Sequence, residues 1–279
     1  MDVGELLKRY AAGERDFRNT NFQGVSFASA DLSEVNLRGA NLSETDLSGV
    51  SLQRANLREA NLTQANLQGA NLQEANLIGS NLSKANLSEA NLSDASLRAS
   101  NLSSTNLTKA NLTEAILSEA VLRDADLTQA KLLEATLSRT NLSHALLVNA
   151  FLEGANFTNA IAVGTNLKGA NLVKALLHGA NFTGANLSQV DLSRAKANGT
   201  NMTDVILIGA NLRGANLSWT TLRGADLSRT NLYRVKLCWS NLTEAILVDA
   251  VLLDANLRQA TLRDANLKGA IMPDGTKHE

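Results

Sequence analysis

From Phe17 to Met272 every fifth residue is a central position of one kind, and no insertion disturbs the count across 52 consecutive blocks. Forty-three of these centres are Leu; the others are Phe17, Phe22, Phe27, Phe157, Phe182, Met202, Met272, Ala162 and Ala197. Two residues before each centre, from Thr20 to Ala270, the chain carries only Ala, Val, Thr or Ser. The residue between is usually Asn and less often Asp, as in ANLTQ ANLQG ANLQE over 60–74. The two residues after the centre are mixed and mostly polar. All fifteen glycines within the blocks fall at the second of them, from Gly24 to Gly269.

A period of five selects the backbone. A helix turns about 100° per residue, so leucines five apart would scatter around its axis. In an extended segment residues two apart share a face, which points the small residue and the centre inward together. Three residues separate the centre from the next small position, an odd number, so the chain must turn a corner between blocks. Glycine confined to that corner agrees, because it takes φ > 0 at little steric cost. Equal corners at every block coil the chain into a solenoid. Only Asp2–Gly13 stands apart: Leu6, Leu7, Tyr10 and Ala11 recur at helical spacing and Gly13 is a stop signal. One short helix is expected there, its apolar face laid on the first coils.

Tandem A(N/D)LXX blocks in one register, over about 255 of 279 residues, resemble the pentapeptide-repeat family. The resemblance implies an all-β fold, a right-handed quadrilateral β-helix with four blocks, or 20 residues, per coil. Thirteen coils would then make a rod of roughly 60 Å. The chain divides accordingly into a capping helix and linker (1–16), the β-helix (17–272) and a tail (273–279). Centres 20 apart form leucine columns, each buried Leu contributing ~1.5–3 kcal/mol before conformational entropy is subtracted. The Asn column can add amide ladders. Both ends of such a coil expose strand edges. Phe17, Phe22 and Phe27 read as a plug at the first end, and Pro273–Glu279 as a weak cap at the other, which admits end-to-end dimerisation. Ala162 and Ala197 would each leave a Leu-sized hole worth ~2–5 kcal/mol. Either Phe182 and Met202, one and two coils beyond Ala162, fill the space, or the coil is distorted into a recognition bulge.

Charge is balanced, 26 basic against 27 acidic residues, net −1. That offers no bulk attraction to nucleic acid or an anionic membrane. Cys238 is the single cysteine, which excludes an intramolecular disulfide framework and a multi-cysteine metal site. The opening MDVGELLKRYAAGERDF lacks an apolar core of signal-peptide length, and no apolar stretch approaches a membrane span. His144 and His178 fall on different faces, His278 lies in the tail, and no His/Cys/Asp set has metal-ligand spacing. The expectation is a cytoplasmic protein that is not an enzyme, with no cofactor, no metal, no membrane and no nucleic-acid partner.

Outward positions are free of the fold's demands, and three features stand out there. From Ile116 onward the residue before the centre is repeatedly apolar, at Leu146, Phe151, Ile246 and Val251 among others, joined by Val148, Val248 and Leu253 just after the centre. Such a run reads either as a partner surface or as stacked side chains that strengthen the sheet. Trp219 and Trp239, the only tryptophans, are 20 apart and so share a corner on adjacent coils, with Tyr233, Arg234, Lys236 and Cys238 close by. That set has the composition of an interaction hot spot, or of an aromatic ladder with cation–π support. Finally, charges form columns. Glu74, Asp94, Glu114 and Glu134 stand 20 apart, Lys174, Arg194 and Arg234 continue with opposite sign, and Arg18, Arg38, Arg58 and Arg98 make a basic column on the next face. A solvated face is the plain reading of these columns.

Some pentapeptide-repeat proteins imitate duplex DNA and bind DNA gyrase; the balanced charge and the basic columns depart from that pattern. A short helix leading into a long Leu-centred array is similar to cyanobacterial members, a few of which regulate cell differentiation through protein contacts. The expectation is a non-catalytic interaction module, engaging an unidentified protein partner through its C-terminal half, as a monomer or an end-to-end homodimer. A gyrase-binding DNA mimic and a self-associating rod are the alternatives.

Overall fold

A computed structural model describes residues 2–279, which fall into two compact units, 2–141 and 142–279. Both are built from the same five-residue step. Within each unit the residue before the centre forms a parallel bridge with the residue 20 further on, as in Asn36↔Asn56 of the first unit and Asn211↔Asn231 of the second. Four blocks per coil is therefore the register within each unit. The strands are reduced to one bridged residue per side, because the next residues are already committed to a turn.

The backbone accounts for four of the five N–H groups in a block. Leu37 N–H donates to the Asn56 carbonyl at 2.8 Å, Gly39 N–H to Arg58 at 2.9 Å, Ala40 N–H back to Leu37 at 3.0 Å, and Asn56 N–H to Val35 at 2.8 Å. The bond from the third residue past the centre closes a β-turn, and φ is positive at the second residue past the centre, the signature of a type II turn. Glycine is not required there: Glu74 has φ 57° and Arg234 φ 55°. The remaining N–H, one residue past the centre, is taken by the Asn side chain. Thr63 N–H donates to Asn61 Oδ1 at 3.2 Å, and Asn61 Nδ2 donates to Asn41 Oδ1 of the preceding coil at 3.2 Å. One Asn thus caps its own turn and links two coils, which is why the repeat prefers it.

Centres and small residues are buried throughout most of both units. Where a buried small position is Thr, as at Thr105, Thr140 and Thr230, its hydroxyl donates to a main-chain carbonyl of the preceding coil, Thr105 Oγ1 to Leu82 at 2.9 Å. Buried hydroxyls are satisfied without disturbing the column.

The single helix among the described residues, α1 (Val3–Ala11), starts at Asp2, whose carboxylate accepts the Glu5 N–H at 2.7 Å. Leu6 is fully buried, Arg9 lies 5.5 Å from the centre of the Phe17 ring, and Tyr10 donates to the Ser33 carbonyl at 2.9 Å. Phe17, Phe22 and Phe27 are buried, the last two edge to face at 5.2 Å. At the far end of the second unit the centres are less covered: Leu257, Leu262, Leu267 and Met272 are only half-buried. The tail folds back in an antiparallel pairing of Ile271 with Lys277, and His278 N–H donates to the Ala270 carbonyl at 2.8 Å.

Both alanine centres keep the register. Ala162 N–H donates to the Asn181 carbonyl at 2.7 Å and Ala197 N–H to Asn216 at 2.8 Å. Ala162 and Phe182 are fully buried, and the Phe182 ring lies 6.1 Å from that of Phe157. At Ala197 the carbonyl accepts two hydroxyls, Thr200 and Thr220, each at 2.8 Å. The register and burial at both alanines are kept, so no bulge is present at either.

Candidate partner-binding surface

All twelve residues singled out for partner binding lie in the second unit. The twenty-residue coil brings Trp219 and Trp239 to the same corner, where their rings stack with centroids 5.2 Å apart and planes 5° from parallel. The separation is close to the ~4.8 Å between neighbouring strands, so the stack needs no distortion of the coil. Both corners are left-handed, at φ 64° and 61°, and both rings point into solvent, 63% and 50% exposed. One coil earlier the corner is Gly199, with open space where a Cβ would stand. The outer face of the Trp219 indole is therefore left without a side chain from that coil.

The preceding corner carries Tyr233 and Arg234. The Arg234 guanidinium lies 4.9 Å from the Tyr233 ring centre, and Arg213, one coil earlier, lies 5.6 Å from it. Arg234 also bonds Asp254 at 3.1 Å, and that hydrogen bond raises its pKa above the ordinary guanidinium value. Lys236 and Cys238 occupy the side between the Arg234 and Trp239 corners. Lys236 is exposed and bridges Asn216 and Asn256 in the backbone ladder; Cys238 is half-buried, its Sγ 4.0 Å from the Asn256 carbonyl.

The apolar residues form two groups. Leu146, Val148 and Phe151 stand near the start of the unit; Ile246, Val248, Val251 and Leu253 stand five coils on, about 24 Å along the ladder. Leu146 and Ile246 share a column, yet Asn166, Asn186, Ile206 and Asp226 lie between them. Leu146, Phe151, Ile246 and Leu253 are exposed, while Val148, Val248 and Val251 are half-exposed. Val251 alone bridges another apolar residue in its column, Ile271.

Sequence reasoning missed Arg213. Its offset of 20 from Tyr233 was the available signal. Arg213 and Arg194 flank a hollow of about 170 Å³ also lined by Val173, Ser193 and Asn211. Among the described residues no cluster of three or more His, Cys, Asp or Glu could hold a metal ion, and no helix is long and apolar enough to cross a membrane.

The family model "Pentapeptide repeats (8 copies)" matches this chain in overlapping stretches from residue 16 to residue 272. Among solved structures, HetL is 33% identical over the whole of both chains, with a TM-score of 0.48; it is a pentapeptide repeat protein involved in heterocyst differentiation regulation, from the cyanobacterium Nostoc sp. strain PCC 7120. QnrB1, a plasmid-mediated fluoroquinolone resistance protein, is 16% identical, covering 90% of this chain and 91% of its own, at a TM-score of 0.35. A pentapeptide repeat protein of the Arabidopsis thaliana thylakoid lumen is 26% identical over 46% of this chain and 68% of its own, at 0.22. No curated protein matches. Three of every five positions follow the repeat, so identities of this size measure shared architecture more than shared surface. By the span and register of its repeats, the chain belongs to the pentapeptide-repeat family.

Proposed function

We propose that this protein is a non-catalytic interaction module, its coils wound right-handed, which binds a protein partner through outward residues of the second unit. The observation that carries this reading is the Trp219–Trp239 stack, exposed at a corner and uncovered on the Gly199 side. Two large, rigid aromatic rings offer contact area at little cost in side-chain entropy, and the neighbouring Tyr233, Arg213 and Arg234 are of the types that dominate binding energy. The apolar pair Leu146 and Phe151, and the group Ile246 to Leu253, extend the candidate surface. A regulatory role exerted by partner binding in the cytoplasm is the corresponding biological proposal. It rests on this surface, since the likeness to HetL reflects the repeat.

The test is affinity capture from lysate of the source organism with wild type and with Trp219→Ala/Trp239→Ala, both shown folded by circular dichroism. A protein retained by the wild type and lost by the variant supports the reading. Identical captures remove the tryptophans from it.

Self-association end to end is a second reading, favoured by the half-exposed Leu257, Leu262, Leu267 and Met272. Light scattering over a range of concentrations tests it, a constant monomer mass counting against it. DNA mimicry has less support: in the first unit Arg54 pairs with Glu74 at 2.9 Å, within the column that would have to be acidic. A gyrase supercoiling assay is its test.

A further inference from the structure

We propose that this protein associates side by side with a second copy of itself, the acidic column of the first unit in one molecule docking on the cationic column of the second unit in another. The net charge of −1 conceals an uneven division. The first unit has thirteen basic and seventeen acidic residues, net −4, and the second thirteen and ten, net +3.

In the first unit Asp94, Glu114 and Glu134 occupy the second position after the centre in successive coils, all exposed. Among the described residues none of the three forms an ion pair, whereas Glu74, one coil before, is held by Arg54. Carboxylates stacked at ~4.8 Å repel one another, and a row of cations at equal spacing relieves that repulsion. The second unit carries cations at the same block position, Lys174 and Arg194 on successive coils and Arg234 two coils beyond Arg194, with Gly214 between. Lys174 and Arg234 hold exposed pairs with Glu153 and Asp254. Arg194 and Arg213 have no carboxylate partner among the described residues and face the 170 Å³ hollow on either side.

That hollow suits a glutamate side chain. Two guanidiniums receive the carboxylate, the Ser193 hydroxyl supplies a further donor, and Val173 meets the methylene stem. A second copy is favoured over an acidic protein of another kind because complementary cations stand on this same chain, two of them, Lys174 and Arg194, at the same interval of 20 residues. The surface shares Arg213 and Arg234 with the reading above but uses neither tryptophan, so Trp219→Ala/Trp239→Ala, which leaves both arginines in place, is expected to associate as the wild type does and separates the two readings.

Sedimentation velocity of the full chain at ~50 mM and ~500 mM salt tests the proposal, since contacts between exposed charges weaken as the screening length shortens. Two charge reversals are compared, Glu114→Arg/Glu134→Arg and Arg194→Glu/Arg213→Glu, each with wild-type circular dichroism. The wild type is expected to associate reversibly, with a dissociation constant at least about tenfold higher at the greater salt concentration. Each variant alone is expected to be monomeric. Their equimolar mixture is expected to associate again, because one then carries cations on both columns and the other carboxylates on both. Association that ignores salt, or variants that remain apart when mixed, overturns the proposal. A wild type monomeric under both conditions also overturns it, and leaves the Arg194–Arg213 hollow to an acidic partner of another kind.

Discussion

The Asn19 carboxamide oxygen occupies the place where a Cβ on Gly39, one coil later at the same corner, would stand. The same relation links Asn149 with Gly169, Asn159 with Gly179 and Asp204 with Gly224. Glycine at these corners therefore answers a neighbour as well as a dihedral angle. Gly69 has the same left-handed backbone, φ 63° against 66° for Gly39, but its missing Cβ would meet nothing. Gly69→Ala is expected to cost about 1 kcal/mol for the left-handed alanine alone. Gly39→Ala is expected to cost more, by the displacement of Asn19, and the excess should vanish in Asn19→Ala/Gly39→Ala. Thermal unfolding of the four proteins checks this; equal costs at the two glycines would refute it.

Asn86 shows what the repeat gains from its second position. Its Oδ1 accepts the Ser88 N–H at 3.2 Å and Asn106 Nδ2 at 3.1 Å, while its own Nδ2 donates to Asn66 at 3.1 Å. Asn86→Ala removes all three bonds at a half-buried site, and a loss of roughly 1–3 kcal/mol is expected. Asn86→Asp keeps both acceptor roles and loses only the donation to Asn66, so it should fall between alanine and wild type at neutral pH. Melting temperatures in that order support the account, and an aspartate as damaging as alanine contradicts it.

Two aspartates at this position, Asp31 and Asp46, are expected to make the first unit sensitive to acid. The Asp46 carboxylate accepts from the Ser48 hydroxyl and N–H, at 2.8 and 3.1 Å, and from Ser26 and Asn66. Asp31 accepts from the Ser33 hydroxyl and N–H, at 2.6 and 3.0 Å. In both cases the serine hydroxyl is the first cause that holds the carboxyl below its ordinary range. A depressed folded pKa contributes stability that is present above the unfolded value of about 3.9 and is lost as pH falls through the folded value. Melting temperature should therefore drop more steeply below about pH 4 in the wild type than in Asp31→Asn/Asp46→Asn. Parallel pH profiles would show that these bonds are not coupled to folding.

Much of this architecture was legible in the residues. The odd step from centre to small residue required a corner, and the bridge from Asn36 to Asn56 bears out the coil of 20 that the family resemblance implied. The helix begins at Val3 and ends at Ala11, within the stretch from Asp2 to Gly13. Two things were not legible. Glycines at the corner suggested that φ > 0 was their reason, yet Glu74 and Trp219 adopt it too, because the type II turn is set by the coil and side chains there project into solvent. Nor did the spacing reveal that Asn caps its own turn, since that depends on which N–H the coils leave unpaired. On the surface, the stack of Trp219 on Trp239 follows from their interval, whereas the place of Arg213 beside Tyr233 follows from a comparison of columns across blocks.

Ala162 tests whether the core is filled to its limit. The Leu column has an alanine there, and Phe182, one coil on in the same column and beside Phe157, is the residue expected to take the volume; Ala162 and Phe182 are fully buried and the backbone is undisturbed. Restoring the common residue with Ala162→Leu should destabilise the protein by about 1–3 kcal/mol, because the added methyl groups enter occupied space. Phe182→Leu alone should also destabilise it, by leaving the space beside Ala162 empty. The double variant Ala162→Leu/Phe182→Leu returns both centres to leucine and should be more stable than either single one, a coupling that a thermodynamic cycle from chemical unfolding would read directly. If Ala162→Leu raised stability by itself, the coil would contain a void and Phe182 would not be its filling. Additive losses would mean that the two centres do not meet.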